Sequence, residues 1–285
     1  MKNIYEETKF LMKKYNLTAN KKLGQNFLID DEAINKIVDS ANLTKEDLVI
    51  EIGPGLGTLT SMLLEKAGKV IAIELDDRMV KILQDRFLVY NNFGLINEDV
   101  LKVNLPELIE ANKQFKSVKV VANLPYYITT PIIMKLLENR LNIESITIMI
   151  QKEVAERIVA TPGSKLSGAI TYSVHYYAEP EEVTIVPNIS FIPSPEVDSE
   201  VIKLVIRKEP PLELKDEKLF FNIIKASFMQ RRKTLANGLV NGGILQNKTE
   251  AVKLLKNIGL EENVRGEELS LEQFAKLSNE IYLRK

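Results

Sequence analysis

Five short apolar runs, DLVIEIG (47–53), KVIAIELD (69–76), FGLINED (93–99), VKVVANLP (118–125) and ESITIMIQ (144–151), are separated by longer stretches. Runs of that length bounded by turn residues read as strands. Strands this uniformly apolar must be covered on both faces. The intervening LGTLTSMLLEKAG, DDRMVKILQDRFLVY, a looser 100–116 segment and YYITTPIIMKLLENR have helical patterning. The result is a series of βα units, which predicts a parallel sheet in an α/β protein. KEVAERIVATPG and a tyrosine-rich stretch around 165–178 continue as helix. EEVTIVP and SEVIKLVIRK then form a closing strand pair across the proline-rich loop PNISFIPSPEVD.

Beyond Arg207 the pattern changes. KEPPLELKDEK is a polar, proline-containing link and the remainder reads helical. The expected division is therefore an α/β domain over 1–207 and a small all-α domain over 208–285. The chain has 285 residues, ample for a sizeable core. Cysteine is absent, which removes disulfides, thiolate catalysis and cysteine metal sites together. The start, MKNIYEETKFLMKKY, is too polar for a signal peptide. No apolar run approaches the roughly 20 residues of a membrane span. A cytoplasmic protein with no membrane partner is expected. The formal net charge of −1 does not advertise a nucleic-acid binder. Basic residues are nevertheless clustered, at Lys2, Lys9, Lys13, Lys14, Lys21 and Lys22 and again from Lys225 to Lys233. Composition alone reads such clusters as solvated faces.

EIGPGLGTLT places Gly53, Gly55 and Gly57 between the first strand and the helix that follows, with Glu51 two residues ahead. Such a turn lets the backbone approach a ligand, but it lacks both the GxGxxG order and the lysine of a phosphate loop. Glu74 closes the second strand, where a carboxylate can accept both hydroxyls of an adenosine ribose. Asp99 closes the third, within reach of an adenine edge. Simple capping is the plainer role for both acids. Their recurrence at successive strand ends favours a nucleoside site, because open parallel sheets bind ligands at the carboxyl ends of strands. NAD and S-adenosylmethionine both suit that half of the chain.

The fourth strand decides between them. It ends in Asn123-Leu124-Pro125-Tyr126. An aromatic amine is a poor nucleophile because its lone pair is delocalised into the ring. The Asn123 side-chain oxygen and the Leu124 carbonyl can accept its two N–H groups and favour a pyramidal nitrogen. Pro125 restrains the corner. Tyr126 can stack on the base and hold its plane. The combination predicts an amine vise beside a methyl donor.

KKLGQNFLID (21–30), EIGPGLGTLT, IELD, NEDV, NLPYYITTP, FIPSPEVDS (191–199) and SFMQRRKTLANGL (227–239) occur in that order. In this series the chain resembles, nearly end to end, the KsgA/RsmA family of small-subunit (16S) ribosomal RNA adenine dimethyltransferases. The resemblance implies an α/β class I S-adenosylmethionine-dependent methyltransferase fold, Rossmann-like, with a mostly parallel seven-stranded sheet and a small all-α C-terminal domain for RNA recognition. It implies transfer of two methyl groups to each of two adjacent adenosines in the 3′-terminal hairpin loop of 16S ribosomal RNA. The cofactor is S-adenosyl-L-methionine with no metal required, and the partner is an immature small ribosomal subunit met by a monomer. By position it assigns Asn26, Leu28, Gly53, Gly55, Glu74, Asp99 and Asn123 to the cofactor. Asn123, Leu124, Pro125 and Tyr126 hold the target base, and Phe191 stacks on its other face. Lys21, Lys22, Arg231, Arg232 and Lys233 are the expected phosphate contacts. PGSKLSGAITYSVHYY departs from the family pattern around Ser167–Thr171, with Ala169 where an arginine is common. His175, the sole histidine, is expected to be structural.

Three rivals remain. A large-subunit adenine methyltransferase of the macrolide-resistance type shares most motifs but commonly reads Asn-Ile-Pro-Tyr. A non-catalytic assembly or transcription factor on the same fold is a second, against which the intact glycine turn and NLPY argue. A dehydrogenase is the third.

Overall fold

The structure is a computed structural model and describes residues 3–230 and 232–284. The chain forms two compact units, one from 1–155 with 181–206 and the other from 156–180 with 207–285.

In the first unit the strands are β1 (Phe27–Leu28), β2 (Asp47–Ile52), β3 (Lys69–Glu74), β4 (Phe93–Asn97), β5 (Ser117–Asn123), β6 (Ser145–Gln151), β7 (Ala178–Val186), β8 (Phe191–Ile192) and β9 (Ser199–Ile206). Seven of them make one sheet in the order β4-β3-β2-β5-β6-β9-β7. The βα units produce parallel pairs from β4 to β6, and β9 closes antiparallel on β6. The parallel sheet expected from the apolar runs is present, and its seven strands match the class I methyltransferase fold that the family resemblance implies. The switch point lies at β2, where the order turns from β3 to β5. Residues of β2 are buried along its whole length, as in a strand covered on both faces.

Helices α1 (Ile4–Lys14), α2 (Asp31–Ser40), α3 (Thr58–Lys66), α4 (Asp77–Phe87), α5 (Leu105–Glu110) and α6 (Thr129–Glu138) accompany the sheet, followed by α7 (Lys152–Val159). Their boundaries follow local chemistry. Asp30 caps α2 by accepting from the Glu32 and Ala33 amides, and Ala33, Ile34, Ile37 and Val38 form its buried stripe. Among these core residues Ile34, Ile37, Val49, Leu63, Val70 and Val121 join a single cluster. At the strand-start end of the sheet, buried Lys119 meets Asp47 at 3.0 Å and donates to the Asn42 carbonyl at 2.7 Å. That satisfies a cation which burial alone would not tolerate.

The second unit holds α8 (Ala169–Tyr177), α9 (Glu217–Phe228), α10 (Leu235–Asn241), α11 (Lys248–Asn257) and α12 (Leu271–Tyr282). Phe220, Ile223, Leu239, Leu254 and Phe274 fill its core together with Tyr172. The Tyr172 hydroxyl donates to the Leu269 carbonyl at 2.6 Å. The Ser167–Thr171 departure is a local lock. Ser167 Oγ donates to the Thr161 carbonyl at 3.0 Å, and Thr171 Oγ1 accepts from the Gly168 amide at 2.9 Å while donating to the Arg157 carbonyl. His175 is on α8 with Nε2 buried and without a partner among the described residues, and burial holds its pKa below the ordinary value. Among the described residues no helix is long and apolar enough to cross a membrane.

Candidate active site

The carboxyl ends of β2 to β5 open into one cavity of about 140 Å³, an order of magnitude more than a water site requires. It brings together Asn26, Leu28, Gly53, Gly55, Glu74, Asp99, Asn123, Leu124, Pro125, Tyr126 and Phe191. Lys21 and Lys22 do not line it. They are exposed on the 3-10 turn just ahead of the lining segment that begins at Leu23. Arg232 and Lys233 are exposed in the helical unit, and Arg231 lies outside the described residues.

The glycine turn is shaped from beneath. Gly53, Gly55 and Gly57 have φ of 68°, 56° and 80°. At Gly57 a Cβ would stand 2.6 Å from the Phe87 ring and 2.8 Å from Leu83, so α4 packs where a side chain would go. Arg86 of the same helix donates to the Leu56 carbonyl inside the turn and pairs with Glu7 of α1, and both partners are mostly buried. One guanidinium thereby ties the N-terminal helix to the turn. Arg86→Leu strands a partly buried carboxylate and an unmet carbonyl. It is expected to cost about 2–4 kcal/mol, read as a lower urea midpoint.

Glu74 supports the turn from the side. Its Oε2 accepts from the Gly55 amide at 3.2 Å and its Oε1 from the Asp76 amide at 2.8 Å. Burial raises its pKa, against the lowering effect of these amides. Each oxygen keeps a second lone-pair direction. Asp99 uses one oxygen to accept from the Leu101 amide at 2.9 Å, so it both caps the next turn and lines the cavity. Glu51, read from the sequence only as a neighbour of the turn, also lines the cavity and is 1% exposed.

The N-terminal segment is fastened in two places. Gln25 donates to Asp76 at 2.9 Å and accepts from the Asn20 amide at 2.8 Å. The Arg78 guanidinium, pairing with Asp76 at 2.6 Å, holds that carboxyl below the ordinary range. Farther along, β1 pairs antiparallel with β8, placing Leu28 opposite Phe191. In the orientation that satisfies its amide, Asn26 donates to the Pro193 carbonyl at 3.0 Å. Segments more than 160 residues apart in sequence are thus joined beside the cavity. The Gln25–Asp76–Arg78 clasp and the Arg86 tie escaped the sequence reading. Gln25 sits inside the LGQNF motif and could have been suspected; Arg86 carries no local signal.

At the end of β5, Asn123 Nδ2 donates to the Asn26 carbonyl at 3.5 Å, and Oδ1 has no hydrogen-bond donor among the described residues. The Leu124 side chain is buried and its amide donates to the Met149 carbonyl at 3.1 Å, while its own carbonyl accepts no backbone bond among the described residues. Two consecutive residues that line the cavity thus each carry an acceptor without a partner of this kind among the described residues. The Tyr126 hydroxyl lies 2.7 Å from Ser199 Oγ, fixing the ring, and Phe191 is buried in the lining.

A family model described as ribosomal RNA adenine dimethylase matches residues 16–283. The ribosomal RNA small subunit methyltransferase A of Lachnoclostridium phytofermentans is 48% identical over 278 residues, covering 97% of this chain and 96% of that one. Among solved structures, a dimethyladenosine transferase from Plasmodium falciparum matches with a TM-score of 0.74 at 30% identity, over 88% of this chain and 95% of that one. The 23S rRNA methyltransferase ErmE matches with a TM-score of 0.69 at 26% identity, over 90% and 100%. The motifs along the chain, the sheet order and the cavity at the strand ends agree with these likenesses: the chain is a methyltransferase and belongs to the ribosomal RNA adenine dimethylase family.

Proposed function

We propose that the protein dimethylates the exocyclic amines of two adjacent adenosines in the 3′-terminal hairpin loop of 16S ribosomal RNA, using S-adenosyl-L-methionine, within an immature small subunit. The observation that carries this reading is the pair of free acceptors, Asn123 Oδ1 and the Leu124 carbonyl, on the same cavity as the glycine turn and Glu74.

The cavity's chemistry fits the cofactor. Glu74 has lone pairs left for ribose hydroxyls, and Asp99 has an oxygen left for an adenine amine. Asn26, Leu28, Gly53 and Gly55 supply backbone and amide groups around the same space, and Asn123 closes it. S-adenosyl-L-methionine, when bound, supplies an electrophilic methyl carbon whose bond to sulfur breaks as the bond to nitrogen forms. Asn123 and Leu124 draw on the two N–H bonds of the amine and turn its lone pair out of the ring plane. Tyr126, held by Ser199, and Phe191 confine the base, with Pro125 stiffening the corner between them. This is positioning and hydrogen-bond polarisation, which the reaction needs more than an early base, because the nitrogen sheds its proton to solvent only after gaining charge. A second transfer requires the monomethylated amine to rotate and re-enter.

We further propose that residues 208–285 recognise RNA through Arg231, Arg232 and Lys233, with Lys21 and Lys22 contacting phosphates near the cavity mouth. Charge reversal at Arg231 and Arg232 is expected to weaken RNA binding and flatten its dependence on salt. Equal affinities and slopes across a salt series would remove the patch from the account.

The large-subunit alternative is favoured by the likeness to ErmE, but the small-subunit relative is matched at nearly twice the identity over almost the full chain. Labelled S-adenosylmethionine offered to unmethylated small subunits and, separately, to large-subunit RNA, with the labelled nucleosides mapped, decides the matter. Label in the large subunit alone overturns the proposal.

A further inference from the structure

Tyr127 has no part in the account so far. It follows Tyr126 in the short 3-10 turn Tyr126–Ile128 and lines the same cavity, yet the two tyrosines are placed differently. The Tyr126 hydroxyl is engaged by Ser199. Tyr127 is 58% exposed and its hydroxyl has no hydrogen-bond partner among the described residues. Nothing in the core requires a large aromatic there. A solvated tyrosine ring at the mouth of a cavity is a surface on which a second flat group can lie.

One edge of the ring faces Gly24: a Cβ built on Gly24 would stand at ordinary contact distance, 3.4 Å from Tyr127 Cδ1 and 3.5 Å from Pro125 Cβ. Gly24 also has φ of 61°, a conformation that glycine adopts without strain and that ends the 3-10 turn Lys21–Leu23. The ring therefore lies next to the Lys21–Gly24 segment along one edge, and much of its surface is open. The same contact sets Lys21 and Lys22, both exposed, a few residues along the chain from the ring. An aromatic face beside paired ammonium groups is the combination by which proteins hold single-stranded nucleic acid: the ring takes a base and the charges take its phosphates. On the reading above, the corner at Tyr126 holds one base at a time. A substrate with two adjacent adenosines brings a second base to the rim at the moment the first is inside.

We propose that Tyr127 is the stacking platform for the nucleotide next to the one being methylated. The inference rests on the RNA-methylating reading above. Tyr127 acts as a positioning residue: it lies outside the corner that holds the reacting amine, and it affects how the RNA is held at the mouth.

The test uses the full-length protein with unmethylated small subunits. Tyr127→Leu is expected to raise KM for the subunits roughly 5- to 100-fold, the range found when a base loses an aromatic partner. It is expected to leave kcat and the dissociation constant for S-adenosylmethionine within about twofold, and Tyr127→Phe is expected to restore KM, since the ring and not the hydroxyl carries the contact. Small subunits bearing an abasic residue at one of the two adenosine positions, prepared for each position in turn, supply a cycle. On the subunit lacking the neighbouring base, Tyr127→Leu should cause no further loss in transfer to the remaining adenosine, whereas independent effects would add. Additive losses on both abasic subunits, an unchanged KM, or a shift confined to cofactor affinity each overturn the proposal. Failure of the unaltered protein to methylate unmodified small subunits is a different result. It defeats the functional reading itself and takes this inference with it.

Discussion

Asn123→Ala is expected to lower methyl transfer to small-subunit RNA at least 100-fold while the protein remains folded. The size follows from what the amide does. Removing one preorganised hydrogen-bonding group from a polar catalytic pocket typically costs about 100- to 1,000-fold in the chemical step. Here the lost group is one of the two acceptors proposed to hold the amine, the other being the Leu124 carbonyl, which no side-chain change can replace. The stability side is light. Asn123 is half-buried, and the one side-chain hydrogen bond it makes among the described residues, to the Asn26 carbonyl, is long at 3.5 Å. Its loss should cost at most about 1 kcal/mol. Single-turnover methylation, thermal melting and the cofactor dissociation constant together separate the outcomes. Slow transfer with a normal melt and a cofactor affinity within a few-fold supports the vise. Near-normal turnover ends it, and a collapsed melt would move the residue from chemistry to structure.

The division between what the residues announced and what only the fold reveals is physical. Strands were legible because each is a short apolar run that must be buried on both faces, and the order of the βα units follows from their spacing. The family motifs likewise carried the methyltransferase reading. The glycine turn was visible as composition, but its support was not. That Gly57 must be glycine depends on Phe87 and Leu83 packing 30 and 26 residues later in the chain. Glu74 announced itself as a strand-end carboxylate, and its bond from the Asp76 amide is local, whereas the bond from the Gly55 amide, which makes it a prop for the turn as well, comes from β2 and β3 lying side by side. Leu28 and Phe191 meet through a two-residue pairing too short to leave any periodic trace. Arg86 and Gln25 act through partners 79 and 51 positions away, and a single chain offers no local signal for such pairs. Local chemistry is written in order along the chain; contacts across the chain are written only in its packing.

Glu51 shows what such packing does to chemistry, and it gives a pH dependence with a definite sign. Burial in β2, with the negative charge of Glu74 adding to it, lifts the Glu51 carboxyl to about 8. Its Oε2 is buried without a hydrogen-bond partner among the described residues. In the folded protein at pH 7 the group is therefore mostly protonated, while in the unfolded chain it ionises near 4.3. A folded pKa above the unfolded one means that the stability is fully present below the unfolded value and is lost as pH rises toward about 8. The slope approaches about 1.4 kcal/mol per pH unit, for a total on the order of 5 kcal/mol. Glu51→Gln should abolish that slope. The difference in unfolding free energy between variant and parent should be flat below pH ~4, grow in the variant's favour through neutrality and level off above pH ~8. Other groups titrate equally in both proteins and cancel. The same orphaned oxygen lines a cavity proposed to take a cofactor bearing a sulfonium and an ammonium, and a nearby cation favours the carboxylate. Binding near pH 6.5 should then release up to one proton, seen as a dependence of the calorimetric heat on the ionisation enthalpy of the buffer, and Glu51→Gln should bind with no such dependence. Parallel stability profiles for the two proteins, together with equal proton release, would show that Glu51 is ionised in the fold and that the cavity offers it a partner at rest.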